Sequence, residues 1–328
     1  MEDNQRNKKI WLAWERHRRT LELNKFFGTE LIIFQSNYPR IIKHPILLIK
    51  SWFAIHAKRP QTLIVQNPSI FLTLLACVVK SFYGYFLIVD AHNSGLLPLS
   101  KTLKKFLFIY RYLQKKADIT IVTNETLANI VSNNKGNPYV LPDRIPSSPK
   151  VTKKILKGEK NILFICTFAG DEPYEEVIKS ASSFDNDVIF YVTGNHKRIK
   201  LDIINNAPSN VIFTGFVSDN EYWNLLSSVD LSIDLTRKEN CLVCGAYESI
   251  AVGTPMILSD TNALKTFFNK GAVFTENNSA AITTSIKKCL KIEGKLREEI
   301  KELKYKLNKT SDQVISGLKN QLQKIDLC

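Results

Sequence analysis

The chain has 328 residues, of which 44% are hydrophobic and 23% are charged. This composition is that of a globular protein and excludes a disordered or fibrous chain, and the length suits two domains rather than one core. The net charge of +14 is unevenly placed: residues 1–146 hold 21 Lys and Arg against 9 Asp and Glu, and residues 147–328 hold 24 against 22. The first half would therefore attract a polyanion, either nucleic acid or an anionic membrane face.

The six cysteines form no disulfide framework. Cys241 and Cys244 make one C-x-x-C pair, but no second ligand pair follows at a spacing typical of zinc sites. The chain opens without the apolar segment of a signal peptide. Its most apolar stretch, residues 70–89, is interrupted by Lys80 and Gly84, which favours a buried helix and a strand over a membrane span. We therefore expect a cytoplasmic protein.

Strand and helix patterns alternate along the first half. The predicted strands are 8–14, 30–36, 62–67, 85–93 and 118–124. The predicted helices are 15–28, 44–60 (begun and ended by prolines), 68–84, 99–117 and the short 125–133. Residues 137–150 are rich in proline and are predicted to be an irregular linker.

The same alternation restarts after the linker. The predicted strands are 160–168, 187–195, 210–216, 230–236, 255–260 and 271–277, with helices between them. Alternating strands and helices indicate parallel sheets with right-handed crossovers. We therefore predict an α/β protein of two doubly wound, Rossmann-like domains that face each other across a cleft. The first would comprise residues 1–146 and the second 147–305, with a C-terminal helix at 306–328 that packs back on the first domain.

Ligands of such sheets bind beyond the carboxyl ends of the strands. One polar segment there, "DLSIDLTRKENCLVCGAYESIAVGTPMILSD" (230–260), resembles the donor-binding segment of GT-B glycosyltransferases, especially the retaining family four. The resemblance implies that Glu248, in the helix before Gly253-Thr254-Pro255, binds the ribose of a nucleotide sugar. The helix N-terminus would face the diphosphate. An earlier family glutamate is replaced by Asn240, which leaves the stereochemical course open.

Three further stretches extend the resemblance. "TGFVSDNEYWNLLSSVDLSIDL" (214–235) is similar to a family segment beside the nucleobase. "FICTFAGDEPYEEVIKSA" (164–181) and "IVDAHNSG" (88–95) are similar to segments of the β-mannosyltransferases that act on lipid-linked chitobiose. The implied donor-binding residues are Thr167, Gly194, Phe216, Val217, Thr236, Lys238, Asn240, Tyr247 and Glu248.

Catalytic residues are expected at the strand tips. Arg237 would neutralise the leaving diphosphate together with Lys238. His92 would contact the transferred sugar or act as the base, and Asp90 would orient it. Residues 15–19 ("ERHRR") would line the acceptor side, and a phosphate on the acceptor would suit their arginines. The predicted acceptor-binding residues are Glu15, Arg16, His17 and Arg18.

The resemblance implies a hexosyl-type glycosyltransferase that moves a sugar from a UDP- or GDP-linked donor to a glycan or lipid-linked acceptor, in the synthesis of cell-surface polysaccharide or glycoconjugate. We expect neither a cofactor nor a metal. A nucleotide-sugar epimerase on the same fold is the alternative. A nucleic-acid binder is disfavoured, because the chain has no helix-turn-helix, RNP motif or series of stacking aromatics.

An anionic membrane is a further expected partner, which would place the protein peripherally at the inner face of the membrane. The predicted helix 99–117 combines apolar residues with six cations: Lys101, Lys104, Lys105, Arg111, Lys115 and Lys116. Helix 44–60 adds Trp52 and Phe53 beside lysines. Both would bring the acceptor side of the protein to a lipid-linked sugar.

Overall fold

The computed structural model describes residues 9–67, 69–98 and 106–326. Lys101, Lys104 and Lys105 of the predicted basic helix lie outside these described residues. The chain divides into two compact units, one comprising Met1–Asp143 and Ser311–Cys328 and the other Arg144–Thr310. The division falls within the segment 137–150 that the sequence predicts to be a linker.

The first unit is built on one six-stranded sheet. Its strands are β1 (Lys9–Ala13), β2 (Glu30–Ile33), β3 (Thr62–Asn67), β4 (Phe86–Ala91), β5 (Ile119–Val122) and β6 (Pro138–Val140). The helices between them are α1 (Arg18–Phe27), α2 (Arg40–Lys58), α3 (Ile70–Tyr83), α4 (Asn93–Leu96), α5 (Leu107–Lys116) and α6 (Glu125–Asn133). The strand order is β2-β1-β3-β4-β5-β6, and every neighbouring pair is parallel.

Apolar residues cover both faces of this sheet, as expected for parallel strands that read as continuous apolar runs. One face packs against α2, α3, α5 and α6 through residues that include Leu47, Ala76 and Leu113. The other packs against α1 and against Ile315 and Leu318 of the C-terminal helix. Several helices end where the sequence predicts. Gly28 and Gly84, for example, adopt the left-handed conformation that closes α1 and α3.

Several predicted boundaries of the first unit are wrong, including the start of α1, which is at Arg18, and the end of β2, which is at Ile33. Helix α2 begins at Arg40, not at His44, and Pro45 lies inside it. A proline this near the start removes only one of the helix's backbone hydrogen bonds, so the longer apolar face outweighs it. Residues 137–150 are not wholly irregular, because Pro138–Val140 pairs with β5 as an edge strand. Proline is tolerated at the first position of an edge strand, where its missing N–H breaks no ladder bond.

The second unit repeats the architecture. Its strands are β7 (Lys160–Phe164), β8 (Val188–Thr193), β9 (Val211–Gly215), β10 (Leu231–Asp234), β11 (Met256–Ser259) and β12 (Ala272–Thr275). Its helices are α7 (Tyr174–Ser180), α8 (Leu201–Asn205), α9 (Asp219–Ser228), α10 (Cys244–Val252), α11 (Asn262–Phe267) and α12 (Ser279–Lys291). The strand order is β12-β11-β10-β7-β8-β9, again with every neighbouring pair parallel. The predicted fold of two parallel-sheet, Rossmann-like units is thus confirmed.

The chain ends in a long helix, α13 (Glu293–Asp326). Its first part packs in the second unit, where Ile300 and Leu303 join the apolar cluster around Phe268. Its last part belongs to the first unit, where Tyr139 donates a hydrogen bond of 2.7 Å to the carbonyl of Val314. Among the described residues, no helix combines the length and the apolar character needed to cross a bilayer.

Candidate functional site

Each sheet has one point at which the strand order reverses. In the first unit the chain leaves β1 for β2 on one side and then adds β3 on the other, so the reversal lies between β1 and β3. In the second unit it lies between β7 and β10. Crevices outside the carboxyl ends of strands at such points are the usual ligand sites of doubly wound sheets. The segments after these strands are therefore the candidates for a functional site.

The segment after β7 is folded around the carboxylate of Glu172. This carboxylate accepts hydrogen bonds from the N–H groups of Thr167 and Ala169, both at 2.9 Å, and from the Thr167 hydroxyl at 2.8 Å. Phe168, between them, adopts a positive φ of 59°. Successive N–H groups that turn toward one anion form a concave backbone nest. Here the chain's own glutamate fills the nest, and the predicted donor residue Thr167 is part of it.

The segment after β10 is tied to the first by Asp171. Thr236 donates a hydrogen bond of 2.9 Å to this carboxylate, and Lys238 forms an ion pair with it at 3.0 Å. The N–H of Arg237 donates to the Asp171 carbonyl at 2.7 Å. Burial would raise the pKa of Asp171, but the hydrogen bonds from Lys238 and Thr236 outweigh it and lower the pKa. Three predicted site residues, Thr236, Arg237 and Lys238, are thus brought together, and the side chains of Arg237 and Lys238 are exposed.

Strand β10 ends in Asp234, which meets the N-terminus of α10. The N–H of Gly245, in the first turn of α10, donates to its carboxylate at 2.8 Å. A side chain at Gly245 would clash, since an added Cβ would lie 2.5 Å from Asp234 Oδ2. Burial raises the pKa of Asp234 well above its usual range, and the charges of Glu172, Glu248 and Asp171 act in the same direction against the Gly245 hydrogen bond.

Glu248 lies on α10 and is partly buried. Its carboxylate accepts a hydrogen bond of 2.5 Å from the hydroxyl of Tyr222, which lies on α9. Burial and the charge of Glu248 raise the pKa of Tyr222 well above its usual value, so the phenol remains a donor. An ionised carboxylate accepts hydrogen bonds only, and ribose hydroxyls are donors that it can accept.

The other predicted donor residues lie on different elements and range from buried to exposed. Gly194 has a φ of +99°, and an added Cβ would strike the carbonyl of Cys166, so this glycine lets the chain after β8 approach the segment after β7. Phe216, after β9, is 90% exposed, and Val217 is partly buried beside it. Asn240 is partly buried in the segment before α10. Tyr247 is a core residue, and its ring contacts those of Phe267 and Phe268.

In the first unit, two histidines meet at the carboxyl edge of the sheet. His17 follows β1 and His92 follows β4, and their rings are arranged edge to face with centroids 4.8 Å apart. His17 Nδ1 and His92 Nε2 are buried and have no hydrogen-bond partner in the described part of the chain. Burial lowers the pKa of His92, and Arg19 and His17 lower it further, while Asp90 and Asp143 oppose the shift.

A buried ion network lies at the same edge. Asp90 is fully buried and forms an ion pair with Arg19 at 2.9 Å. Arg19 also pairs with Asp143 at 2.6 Å and donates to the carbonyl of Leu141 at 2.8 Å. Burial alone would lower the pKa of Arg19, but its two carboxylate partners raise it. Asp90 therefore forms its ion pair with Arg19, whereas the sequence predicts a hydrogen bond between Asp90 and His92.

The remaining acceptor-side residues lie just before α1 and at its first position. Glu15 and Arg16 are exposed, His17 is partly buried, and the side chain of Arg18 falls outside the described structure. Arg19, the last residue of the segment 15–19 that is predicted to line the acceptor side, instead forms the buried ion network, a role that was not predicted. The signal was available, because Arg19 stands four residues before the buried Leu23 and thus lies on the inner face of α1. Asp171, Glu172, Tyr222 and Asp234 were also missed, since their roles depend on partners from other elements.

The outer face of the helices α2, α3 and α5 carries an exposed apolar and basic surface. Its exposed apolar residues are Ile41, Ile42, Ile49, Trp52, Phe53, Phe71, Val78, Phe82, Phe108 and Tyr112. Its cations are Arg40, Lys43, Lys50, Lys58, Lys80, Arg111, Lys115 and Lys116. The three helices contain no Asp or Glu, but Lys58 pairs with Glu30 and Lys80 pairs with Asp118. We call this set the helix-layer surface. Among the described residues, no three His, Cys, Asp or Glu side chains are grouped as metal ligands.

Comparison with known proteins gives a family match for residues 149–307 and a fold for the whole chain. Residues 149–307 match the family described as glycosyl transferases group 1. Curated proteins give no match. Among solved structures, sucrose-phosphate synthase from Thermosynechococcus elongatus is similar with a TM-score of 0.76 at 13% identity, over 97% of this chain and 98% of that one.

Two further structures cover the chain equally well. A glycosyltransferase from Rickettsia africae ESF-5 has a TM-score of 0.75 at 12% identity, over 97% of this chain and 98% of its own. HepE from Anabaena, solved with UDP and glucose, has a TM-score of 0.74 at 11% identity, over 97% and 100%. Likeness at such identities establishes the fold. Residues 149–307 thus match the glycosyl transferases group 1 family, within a chain whose two parallel-sheet units have the fold of GT-B glycosyltransferases.

Proposed function

We propose that the protein is a hexosyl-type glycosyltransferase that moves a sugar from a nucleotide-diphosphate sugar to a glycan or lipid-linked acceptor. The observation that carries the proposal is the family match over residues 149–307. That range includes the edge between β7 and β10, where Arg237, Lys238 and Glu248 arise on neighbouring segments. Synthesis of cell-surface polysaccharide or glycoconjugate is the process that we propose for it.

The donor would be held by groups with three different tasks. Glu248, fixed by Tyr222, accepts hydrogen bonds from the ribose hydroxyls. Arg237 and Lys238 supply exposed positive charge for the diphosphate, and Lys238 is held in place by Asp171. The exposed ring of Phe216 offers an apolar face to the nucleobase, and every base has a face that can stack on it.

Glu248 provides the test of the donor site. We expect Glu248→Ala to weaken the binding of UDP or GDP by roughly ten- to a hundredfold, since the hydrogen bonds of a charged group contribute about 1.5–3 kcal/mol. Glu239→Ala is the matched control, because Glu239 is exposed in the segment before α10. Titration calorimetry measures both variants. Equal affinities for wild type and Glu248→Ala would place the nucleotide elsewhere.

The acceptor chemistry would use the edge of the first unit. His92 has a pKa lowered by burial, so at neutral pH its imidazole is neutral and can accept the proton of an acceptor hydroxyl. Residues 15–18 would line the acceptor. We expect Ala at His92 and at Arg237 to lower the transfer rate while the melting temperature changes little. A transfer rate within about twofold of wild type would mean that the activation free energy changes by less than ~0.5 kcal/mol, and this would contradict these assignments.

An epimerase that uses the same donor remains the second candidate, since a nucleotide-sugar site by itself serves both reactions. A transferase releases the nucleoside diphosphate when the acceptor is supplied, and the sugar is recovered on the acceptor. An epimerase leaves an isomerised sugar on the nucleotide without an acceptor. Product analysis by chromatography separates the two.

We further propose that the helix-layer surface docks on an anionic membrane from the cytoplasmic side. Ile41 is 88% exposed and Phe82 is 80% exposed, so both can enter the headgroup region without unfolding. Trp52 stacks on His56, and the His56 ring bonds to the hydroxyl of Tyr83. Aromatic side chains of this kind favour the membrane interface. Arg111, Lys115 and Lys116 are exposed on α5 and suit an anionic lipid surface.

Co-sedimentation with liposomes tests the docking. Binding should require anionic lipid, fall with salt, and drop by at least roughly thirtyfold in Lys115→Glu/Lys116→Glu, because each lysine removed costs about 1 kcal/mol near the surface and each new carboxylate is repelled by it. The control Lys287→Glu/Lys288→Glu makes the same charge change on exposed residues of α12 in the second unit. Equal binding to neutral and anionic liposomes, or equal losses in both variants, would reject the surface.

A further inference from the structure

The nest after β7 holds the carboxylate of Glu172 with donors from one short stretch of the chain. Glu172 Oε2 accepts hydrogen bonds from the N–H groups of Thr167 and Ala169, both at 2.9 Å, and from the Cys166 thiol at 3.2 Å. Glu172 Oε1 accepts the Thr167 hydroxyl at 2.8 Å. Converging backbone N–H groups and hydroxyls are the donors that phosphoryl oxygens also accept. The nest therefore has the chemistry of a phosphate site, and a carboxylate of the same chain occupies it.

The shape of the nest is fixed by Phe168 as well as by the bound carboxylate. Phe168 has a φ of 59°, a conformation that a bulky residue keeps only where its surroundings hold it. Its side chain is buried in the apolar cluster of the second unit, and its ring contacts that of Tyr174. Its N–H donates to Cys166 Sγ at 3.2 Å. The N–H groups on either side of Phe168 should therefore keep their direction when the carboxylate leaves.

Two cations of the next segment stand beside the nest. The Arg237 guanidinium donates a hydrogen bond of 3.3 Å to the carbonyl of Glu172. Lys238 pairs at 3.0 Å with Asp171, the residue that precedes Glu172. Both cations are exposed. A diphosphate has two neighbouring phosphoryl groups, so the nest can hold one of them while Arg237 and Lys238 balance the charge of the other.

We propose that Glu172 is an internal competitor of the donor's diphosphate. Its carboxylate fills the nest in the free protein, and one phosphoryl group of the nucleotide sugar displaces it. The two anions exclude each other, because both need the N–H groups of Thr167 and Ala169 and because their charges repel at contact distance. The inference rests on the proposed function, in which the ligand of this edge is a nucleotide-diphosphate sugar.

The exchange is selective for strongly charged anions. Glu172 is partly exposed and lies in the irregular segment before α7, so its side chain can turn into water while the backbone stays in place. A small monoanion does not replace it, because a carboxylate attached to the same loop competes at a high effective concentration. A diphosphate carries more charge and also reaches Arg237 and Lys238. Glu172 therefore keeps small anions out of the nest and sets the affinity for the diphosphate.

Calorimetric titration of the full chain with inorganic pyrophosphate tests the competition without a nucleotide. Glu172→Gln keeps the size of the side chain and removes its charge, and Glu172→Ala empties the nest. We expect both variants to bind pyrophosphate at least about tenfold more tightly than wild type, because apparent affinity is reduced by the fraction of the protein whose site is closed. Glu175→Gln is the matched control, since it removes the same charge from an exposed residue of α7, and it should change the affinity by less than about twofold.

Nuclear magnetic resonance of the ¹⁵N-labelled wild type gives a second readout that does not depend on the folding of a variant. Pyrophosphate should shift the amide signals of Thr167 and Ala169 with the midpoint that calorimetry gives, since their N–H groups change acceptor. Unshifted signals at saturation would overturn the inference. An equal or weaker affinity for pyrophosphate in a folded Glu172 variant would do the same, because Glu172 would then only support the loop.

The outcome can be told apart from that of the donor-site test. If Glu248→Ala loses affinity for UDP or GDP while the Glu172 variants bind pyrophosphate as wild type does, the competition is rejected and the proposed function stands. If wild type binds neither nucleotide, the proposed function fails, and the pyrophosphate titration still shows whether Glu172 competes for the nest.

Discussion

Replacement of Asp234 by asparagine should stabilise the protein, and the gain should grow with pH. Asp234 is partly exposed at the end of β10, but its carboxyl is largely desolvated and feels the charges of Glu172, Glu248 and Asp171, so that its pKa is raised well above the usual range. Asparagine matches the neutral carboxyl in shape, and its oxygen can still accept the N–H of Gly245. The variant therefore keeps the hydrogen bond at the start of α10 and removes the charge.

The magnitude follows from proton linkage. Unfolded Asp234 titrates near pH 3.9, whereas the folded residue holds its proton to a higher pH. Between these two pKa values the folded state binds one more proton than the unfolded state, so wild-type stability falls by about 1.4 kcal/mol per pH unit relative to Asp234→Asn. Below about pH 3.9 the two proteins should be equally stable.

Urea unfolding at several pH values between 4 and 8 measures the difference, and Asp219→Asn, exposed at the start of α9, is the control. The control should show no gain that rises with pH. A constant difference between Asp234→Asn and wild type over this range would refute the reasoning, because it would mean that Asp234 ionises normally in the folded state. A gain that shrinks as the pH rises would mean that folding lowers the pKa of Asp234, which is the opposite of this reasoning.

Two other substitutions test the fold around the candidate site. Arg19→Met should lower the free energy of unfolding by about 3–5 kcal/mol, because it leaves Asp90 buried without its cation. Arg16 is exposed, so Arg16→Met should change the free energy of unfolding by less than about 0.5 kcal/mol. Equal urea midpoints for the two variants would contradict the buried network. Gly194→Ala should abolish or severely weaken folding of the second unit, since the φ of +99° and the nearby Cys166 carbonyl exclude a Cβ. Gly170→Ala is the control, because an added Cβ there meets no atom within 4 Å, and a thermal melt should show that it is tolerated.

The sequence predicts the order of the elements well because that order depends on local patterns. Apolar runs such as Thr62–Asn67 and helix ends such as Gly28 and Gly84 carry their own signals, and alternating strands and helices imply parallel sheets. The predicted position of Glu248 on a helix also follows from the Gly-Thr-Pro break after it. The ribose role of Glu248 remains a prediction.

Contacts between distant segments are what the sequence does not reveal. Arg19 and Asp143 are 124 positions apart, and Thr236 and Asp171 are 65 apart, so only the folded sheets bring them together. The self-filled nest around Glu172 likewise depends on a positive φ at Phe168, which no local glycine or asparagine signals. The edge strand Pro138–Val140 is not predicted from the sequence, because proline usually indicates that a segment is not a strand.

The central claim is sugar transfer from a nucleotide donor, and one incubation tests it most directly. The protein is mixed with radiolabelled UDP-glucose or GDP-mannose, with and without a membrane lipid extract as the acceptor source. Both the label in the lipid phase and the released nucleoside diphosphate are measured. The account predicts equal amounts of transferred label and released diphosphate with one of the donors, only when the extract is present, and loss of both in Glu248→Ala. Conversion of the sugar while it remains on the nucleotide, with no label in the lipid phase, would contradict it.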